Sequence, residues 1–170
     1  MAKFALKALV LALSIFFVGC EFKRDFEAIN SEKSYKFSFN GFEKRLDLGT
    51  QKPFALVFFT KDCGVCKEQI RILNELKAKN EVPKELANFD FFVVLNDAQD
   101  KEDAILFAKE KGIAFPLFYE KRASELLSRA VGGIYGVPVT VFFDKEGIQR
   151  ELFIGLTLET LLLKELVKIL

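Results

Sequence analysis

Six consecutive apolar residues at 54–59 are followed, four residues on, by the first of two cysteines, and from that cysteine the apolar spacing changes. An apolar run without alternation is the pattern of a strand buried on both faces, as in a sheet covered by helices. Cys63, Cys66, Ile70, Leu73 and Leu76 then recur at spacings of three and four, which puts them on one face of a helix reaching to about Asn80. A buried strand feeding a helix in this way is the building unit of α/β architecture.

The rest of the chain repeats the alternation. Residues 89–95 form a second apolar strand. Asp100 is placed to cap a helix with Ala104, Ile105, Phe107 and Ala108 on its inner face, ending at Gly112. Residues 115–119 predict a short strand and 123–131 a short helix, broken by Gly132 and Gly133. Residues 139–143 are again an apolar strand, joined by a turn at 144–147 to a strand ending near Ile154. Strands linked by so short a turn run antiparallel, so the central sheet is mixed. Thr157 is the expected cap of a closing helix through Ile169. Upstream, Tyr35, Phe37 and Phe39 alternate before Asn40-Gly41 and a return toward Leu46 and Leu48, which predicts an N-terminal β-hairpin extension. Residues 21–36, dense in charge, read as a polar tether, so the expected domain spans 37–170.

Composition narrows the chemistry. The 170 residues, with 51% hydrophobic and 29% charged, suffice for one domain with a real core. Lys plus Arg number 25 against 24 Asp plus Glu, so no basic face for nucleic acid is expected. With no histidine, a Ser-His-Asp triad, a His-ligated metal and a haem-attachment motif are excluded, and three cysteines cannot build a four-cysteine zinc or iron-sulfur site. No metal and no cofactor beyond a cysteine pair is expected.

The front of the chain reads as an address. Lys3 and Lys7 precede an uncharged apolar run at 8–18 that ends at Gly19 and Cys20, the pattern of a secretory signal over residues 1–19. A run of about 11 residues is about 16 Å long as a helix, short of the roughly 30 Å hydrocarbon core. Phe17-Val18-Gly19-Cys20 resembles the bacterial lipobox, which implies a diacylglycerol-modified Cys20 at the mature N-terminus and an anchor in the lipid bilayer. The alternative is Cys20 as an ordinary apolar residue of a signal or uncleaved anchor. Setting Cys20 aside leaves one intact pair of thiols.

That pair, in Cys63-Gly64-Val65-Cys66, lies between a buried strand and the first turn of a helix. Cys63 is nearer the helix end, where unpaired N–H groups and the helix dipole favour a thiolate, and Cys66 lies one turn in. Cys63 is therefore the expected attacking sulfur and Cys66 the resolving one. A structural disulfide, two chance core cysteines and half of a zinc site shared between subunits are the other readings of the same letters.

With Leu46-Asp47-Leu48, Lys52-Pro53, the apolar strands, Gly112, Phe115-Pro116 and the block from Tyr135-Gly136-Val137-Pro138 to Asp144, the chain resembles the thioredoxin superfamily. It is most similar to the TlpA/ResA branch of membrane-tethered thiol-disulfide oxidoreductases. The resemblance implies a thioredoxin-like α/β fold and a cis Pro138 facing the cysteine pair. It also implies that the Val137 backbone pairs with a partner's chain, with Gly64, Val65 and Tyr135 at the client surface. Proline is independently the one residue for which a cis bond is cheap, and the alternative is a trans proline that merely opens a strand.

The family usually has Trp before the first cysteine, whereas this chain has Asp62 there and no Trp at all. A neighbouring carboxylate opposes the Cys63 thiolate and favours the disulfide, so the reduced protein becomes a better reductant, while Lys61 and Lys67 act oppositely. The family's acidic residue after the second strand, to which the resemblance gives a proton-handling role, maps near Gln99. Asp97 and Asp100 are nearby stand-ins that also read as a solvated loop and a helix cap, and Phe115 and Tyr135 are candidates to border a groove. The expected activity is that of a periplasmic, lipid-anchored oxidoreductase of the bacterial envelope. It would exchange disulfides with cysteine-bearing clients and a membrane electron donor or acceptor, in disulfide or cytochrome c maturation. The alternative is a tethered chaperone or adaptor whose cysteines form an inert disulfide; no nucleic-acid partner is expected.

Overall fold

The computed structural model describes residues 24–78 and 86–170. Strand β4 (Phe54–Phe59) is the axis of a mixed five-stranded sheet. On one side it pairs in parallel with β5 (Asp90–Leu95), which pairs in parallel with β6 (Leu117–Phe118). On the other it pairs antiparallel with β7 (Val139–Phe143), which carries the edge strand β8 (Gln149–Ile154). Between these run helices α1 (Gly64–Ala78), α2 (Lys101–Glu110), α3 (Lys121–Ala130) and α4 (Glu159–Ile169). The expected α/β class and mixed sheet flanked by helices are thus present.

The unbroken apolar run of β4 divides with the period of two that a strand imposes. Ala55, Val57 and Phe59 face a layer with residues of α1, α2 and α4, whereas Phe54, Leu56 and Phe58 face a layer with α3 and the N-terminal strands. Both layers are aromatic-rich, and truncating a buried ring such as Phe58 costs about 3–5 kcal/mol.

The N-terminal region is a three-stranded antiparallel sheet, β1 (Arg24–Glu27), β2 (Ser34–Asn40) and β3 (Arg45–Asp47), in that order. The predicted hairpin is β2 and β3, but Asn40 is the last residue of β2 and pairs with Arg45, so the turn is residues 41–44 rather than Asn40-Gly41. Residues 24–36, read from sequence as tether, are corrected by the structure: β1 pairs with β2 and buries Phe26 and Ala28. Two apolar positions among charges are too short a pattern to read, yet they suffice once Phe37 and Phe118 offer a surface. Ile29 then bonds Leu117 in both directions at 2.9 Å, covering the free side of β6, and Asn30 Nδ2 donates to the Ile113 carbonyl at 2.6 Å. Tyr35 meets Phe92 and Phe118 edge-on, with centroids 5.1 and 5.3 Å apart.

Two further expectations change. Asp100 does cap α2, accepting the Asp103 N–H at 2.8 Å, but Ile105 is exposed because the buried stripe is Ala104, Phe107 and Ala108. Thr157 does not cap α4: Leu158 stands at that position, without a side-chain bond. Thr157 is buried and held by Gln69 of α1, whose Oε1 accepts the Thr157 N–H at 2.7 Å and whose Nε2 donates to the Thr157 carbonyl at 3.1 Å. One side chain satisfies both backbone groups, joining the helix after the cysteines to the start of the closing helix.

Candidate active site

The chain leaves β4 at Phe59 and reaches Cys63 through Thr60, Lys61 and Asp62. This approach is held by carboxylates from the segment after β5. The Lys61 N–H donates to both oxygens of Asp97 at 3.0 Å, and Lys61 Nζ lies 2.7 Å from Asp103 Oδ2, which also accepts the Gln99 N–H at 2.9 Å. The hydrogen bond to Asp103 raises the Lys61 ammonium above its ordinary pKa; the same bond, helped by the Gln99 N–H, lowers the Asp103 carboxyl. Lys61, read from sequence as a charge acting on Cys63, therefore has its ammonium on Asp103. Asp97 and Asp100, considered for proton handling, hold the Lys61 backbone and cap α2.

Cys63 and Cys66 form a disulfide with an S–S distance of 2.12 Å and Cα atoms 5.2 Å apart. Their surroundings differ. Cys66 is 1% exposed within the layer beneath α1, while Cys63 is only half-buried. The Cys66 N–H donates to Cys63 Sγ at 3.1 Å. Since α1 starts at Gly64 and has no acidic residue in its first turn, unpaired N–H groups and the positive end of the helix dipole face the outer sulfur. This is a field that stabilises a thiolate at Cys63 when the bond is open. Gly64 and Val65 are exposed beside it, as are Asp62 and Lys67. Lys67 adds to the pull of Lys111 that lowers the Glu110 carboxyl.

Opposite the disulfide, the segment between α3 and β7 brings up Val137, whose carbonyl oxygen lies 3.7 Å from Cys63 Sγ. The Val137–Pro138 peptide bond is cis, and the buried Pro138 accepts the Gly155 N–H at 2.8 Å. Gly132 and Gly133 have φ of 89° and 98°, a region costly for side chains with a Cβ, and let the chain turn out of α3 toward the site. Tyr135 stands 97% exposed on this segment. Phe115 does not join it: it is buried, edge-on to Phe91 and under the Lys77 ammonium. The structure thus gathers Cys63, Gly64, Val65, Cys66, Val137 and Pro138 in one place, with Tyr135 in solvent beyond them. Cys20 lies outside the described residues. Among those residues no three His, Cys, Asp or Glu side chains converge as metal ligands, and no helix is long and apolar enough to cross a membrane.

Sequence reasoning undervalued Asp97 and Gln69. Asp97 is a polar residue directly after the apolar run of β5, a hint of a position at the mouth of the sheet. Its bond to a backbone N–H 36 residues away has no sequence pattern.

The fold is shared by solved structures of low sequence identity. StoA from Bacillus subtilis superposes with a TM-score of 0.63 at 16% identity, covering 86% of this chain and 97% of that one. A protein described as thiol:disulfide interchange protein DsbE from Chlorobium tepidum gives 0.60 at 19%, covering 87% and 92%. The thioredoxin domain of a thiol-disulfide oxidoreductase from Bacteroides vulgatus gives 0.58 at 17%, covering 86% and 94%. These likenesses establish the fold. No curated protein matches the chain. A family model for the thioredoxin-like domain matches residues 47–169, which takes in both cysteines, Val137 and Pro138, and the chain belongs to that family.

Proposed function

We propose that this protein is a membrane-tethered, extracytoplasmic thiol-disulfide oxidoreductase that passes electrons from the Cys63–Cys66 dithiol to client disulfides. The observation that carries the reading is the asymmetry of the pair: one sulfur half-buried, facing a helix N-terminus and the Val137 carbonyl, the other enclosed one turn inside. In the forward direction the Cys63 thiolate attacks one sulfur of a client disulfide, breaking that bond and releasing the other sulfur as a thiolate. Cys66, losing its proton, then attacks Cys63 and displaces the client's second thiolate. Two electrons and two protons pass from the pair to the client, and an external dithiol, at the membrane in this reading, restores the pair by the same exchange.

The reductant direction is supported by charge. Asp62 adjoins Cys63, whereas the Lys61 ammonium is drawn to Asp103, so the neighbouring carboxylate is less opposed than the sequence implies. Tethering and an envelope location, with client maturation of disulfides or cytochromes c as the setting, rest on the apolar segment and Cys20. The test is reduction of insulin or a small aromatic disulfide by an excess of dithiol with the protein in catalytic amount. The expected result is turnover in the wild type and none in Cys63→Ser. A pair that stays oxidised and supports no turnover would replace this reading with the chaperone or adaptor one.

A further inference from the structure

The largest exposure of any bulky apolar side chain among the described residues is far from the disulfide. Phe42, at the tip of the hairpin, is 99% exposed, and Phe39 beside it is 44% exposed. The tip is built rather than loose. Asn40 Oδ1 accepts the Phe42 and Glu43 N–H groups at 3.1 and 3.2 Å. The return strand is fixed to the turn after β7, with Arg45 bridging Ile148 and the Leu46 N–H donating to the Gly147 carbonyl at 2.9 Å. At Gly147, with φ of 77°, a Cβ would fall 2.1 Å from the Leu46 carbonyl oxygen, so that close approach requires glycine. This turn leads from Phe143, the partner of Phe54 at the start of β4. The tip therefore stands at the opposite pole of the sheet from Cys63, which follows the end of β4, about 17–20 Å away along the strand alone.

The described chain begins near the same pole. Arg24, its first residue, pairs with Phe37 in an antiparallel register, three residues along β2 from Asn40 at the hairpin tip. Cys20, four residues before Arg24, is then at most about 14 Å from it, comparable with the roughly 10 Å from Phe37 to Asn40. We infer that the hairpin tip is a membrane-contact surface. Phe42, with Phe39 behind it, enters the boundary between headgroups and acyl chains of the bilayer to which the N-terminus is tied, and the disulfide faces away into the aqueous compartment. This rests on the tethered reading only for the natural anchor; the geometry of the tip stands apart from it. One aromatic ring is too weak to hold a free protein on lipid, but an anchor a few residues away makes its insertion an intramolecular event at high effective concentration. The charges at the tip are mixed, Glu43 pairing with Arg45 at 3.1 Å, so the contact is chiefly apolar and depends little on salt.

The chain has no tryptophan, so Phe42→Trp introduces a single reporter. In the oxidised protein Cys20 is the one cysteine outside the disulfide, and coupling it to a maleimide phospholipid in phosphatidylethanolamine and phosphatidylglycerol vesicles supplies an anchor whether or not cells lipidate it. The expected result for Phe42→Trp is blue-shifted indole emission, quenched about twofold by lipids brominated on their acyl chains, with Leu106→Trp and Tyr135→Trp unquenched. Water-like, unquenched emission from anchored Phe42→Trp protein would overturn the inference and leave tethering intact. A blue shift without vesicles that grows with protein concentration would overturn it in favour of contact between copies. Fractionation of cells for membrane-bound chain tests the natural anchor separately.

Discussion

The two segments that flank the disulfide are built on opposite plans. The approach to Cys63 is fastened by charge: the Lys61 backbone on Asp97, its ammonium on Asp103, and Asp103 in turn on Asp100 and Gln99. The segment from Gly132 to Pro138 is held by backbone bonds at its ends, from Gly133 to Ser128 and from Gly155 to Pro138, with Tyr135 in solvent between them. One side keeps a sulfur in place against the helix end, and the other leaves an open, sparsely bonded surface beside Val137. Rigidity where bonds are exchanged and tolerance where partners are read is the division that the proposed exchange with client disulfides would use.

The strongest test of this contrast is all-or-none. Cys66→Ser is expected to accumulate mixed disulfides with clients through Cys63, and Cys63→Ser to accumulate none, as read on non-reducing gels. Equal trapping would mean that the outer and inner sulfurs are equivalent and that the fastened side does not select the attacker. Next in size is Asp97→Ala. Loss of the acceptor for the Lys61 N–H is expected to lower unfolding stability by about 1.5–2 kcal/mol in urea titration, and to raise the rate at which small thiols reduce the disulfide. A loss no greater than that of an ordinary surface substitution would show that the approach is not held by this carboxylate.

On the opposite segment, Tyr135→Ala is expected to leave stability unchanged while lowering kcat/KM for protein clients about tenfold, the scale of an aromatic contact at an interface, with small disulfides unaffected. The Lys61–Asp103 pair has a pH signature. Because the Asp103 carboxyl is lowered, its contribution is full above the ordinary carboxylate range near about pH 4 and is lost as acid takes the pH through its lowered value. Because Lys61 is raised, its contribution is full below the ordinary lysine range and is lost as alkali takes the pH through its raised value. The stability difference between wild type and Asp103→Asn should therefore be flat near neutrality and shrink at both extremes. Smallest is Asp62→Asn, expected to make the pair more oxidising by about 15 mV, roughly a threefold change in equilibrium with glutathione. An unchanged or more reducing potential would assign control of the sulfur to the helix end alone.

What could be read in advance followed from short-range pattern. The run at 54–59, the change of period at Cys63 and the tight turn at 144–147 are local, and each appears in the structure as β4, α1 and the link between β7 and β8. The hairpin was legible for the same reason, since Asn40-Gly41 separates alternating residues. What escaped depends on distant partners. Phe26 and Ala28 sit among charges and become a strand by packing on the main sheet; Thr157 has the chemistry of a cap but meets Gln69 of α1. Ile105 is apolar and yet exposed, because Ala104, Phe107 and Ala108 already make the stripe. At the site, both cysteines and their unequal depth were readable from helix geometry, Pro138 from resemblance, and the partner of Lys61 from neither.

The Gln69–Thr157 clamp bears on how the two oxidation states relate. Opening or closing the disulfide alters bonds at the first turn of α1, and Gln69 lies just beyond it, tied through both ends of its amide to a buried backbone. In the oxidised protein the frame below that turn is thus held by bonds that do not involve the sulfurs. By the thermodynamic cycle joining folding and reduction, the potential of the pair differs from that of the unfolded chain by the difference in folding stability between the two states. Where that frame is kept on reduction, the difference resides in a few atoms around Cys63, and a single charge or hydrogen bond there that moves the potential moves the relative folding stability of the two states by the same free energy.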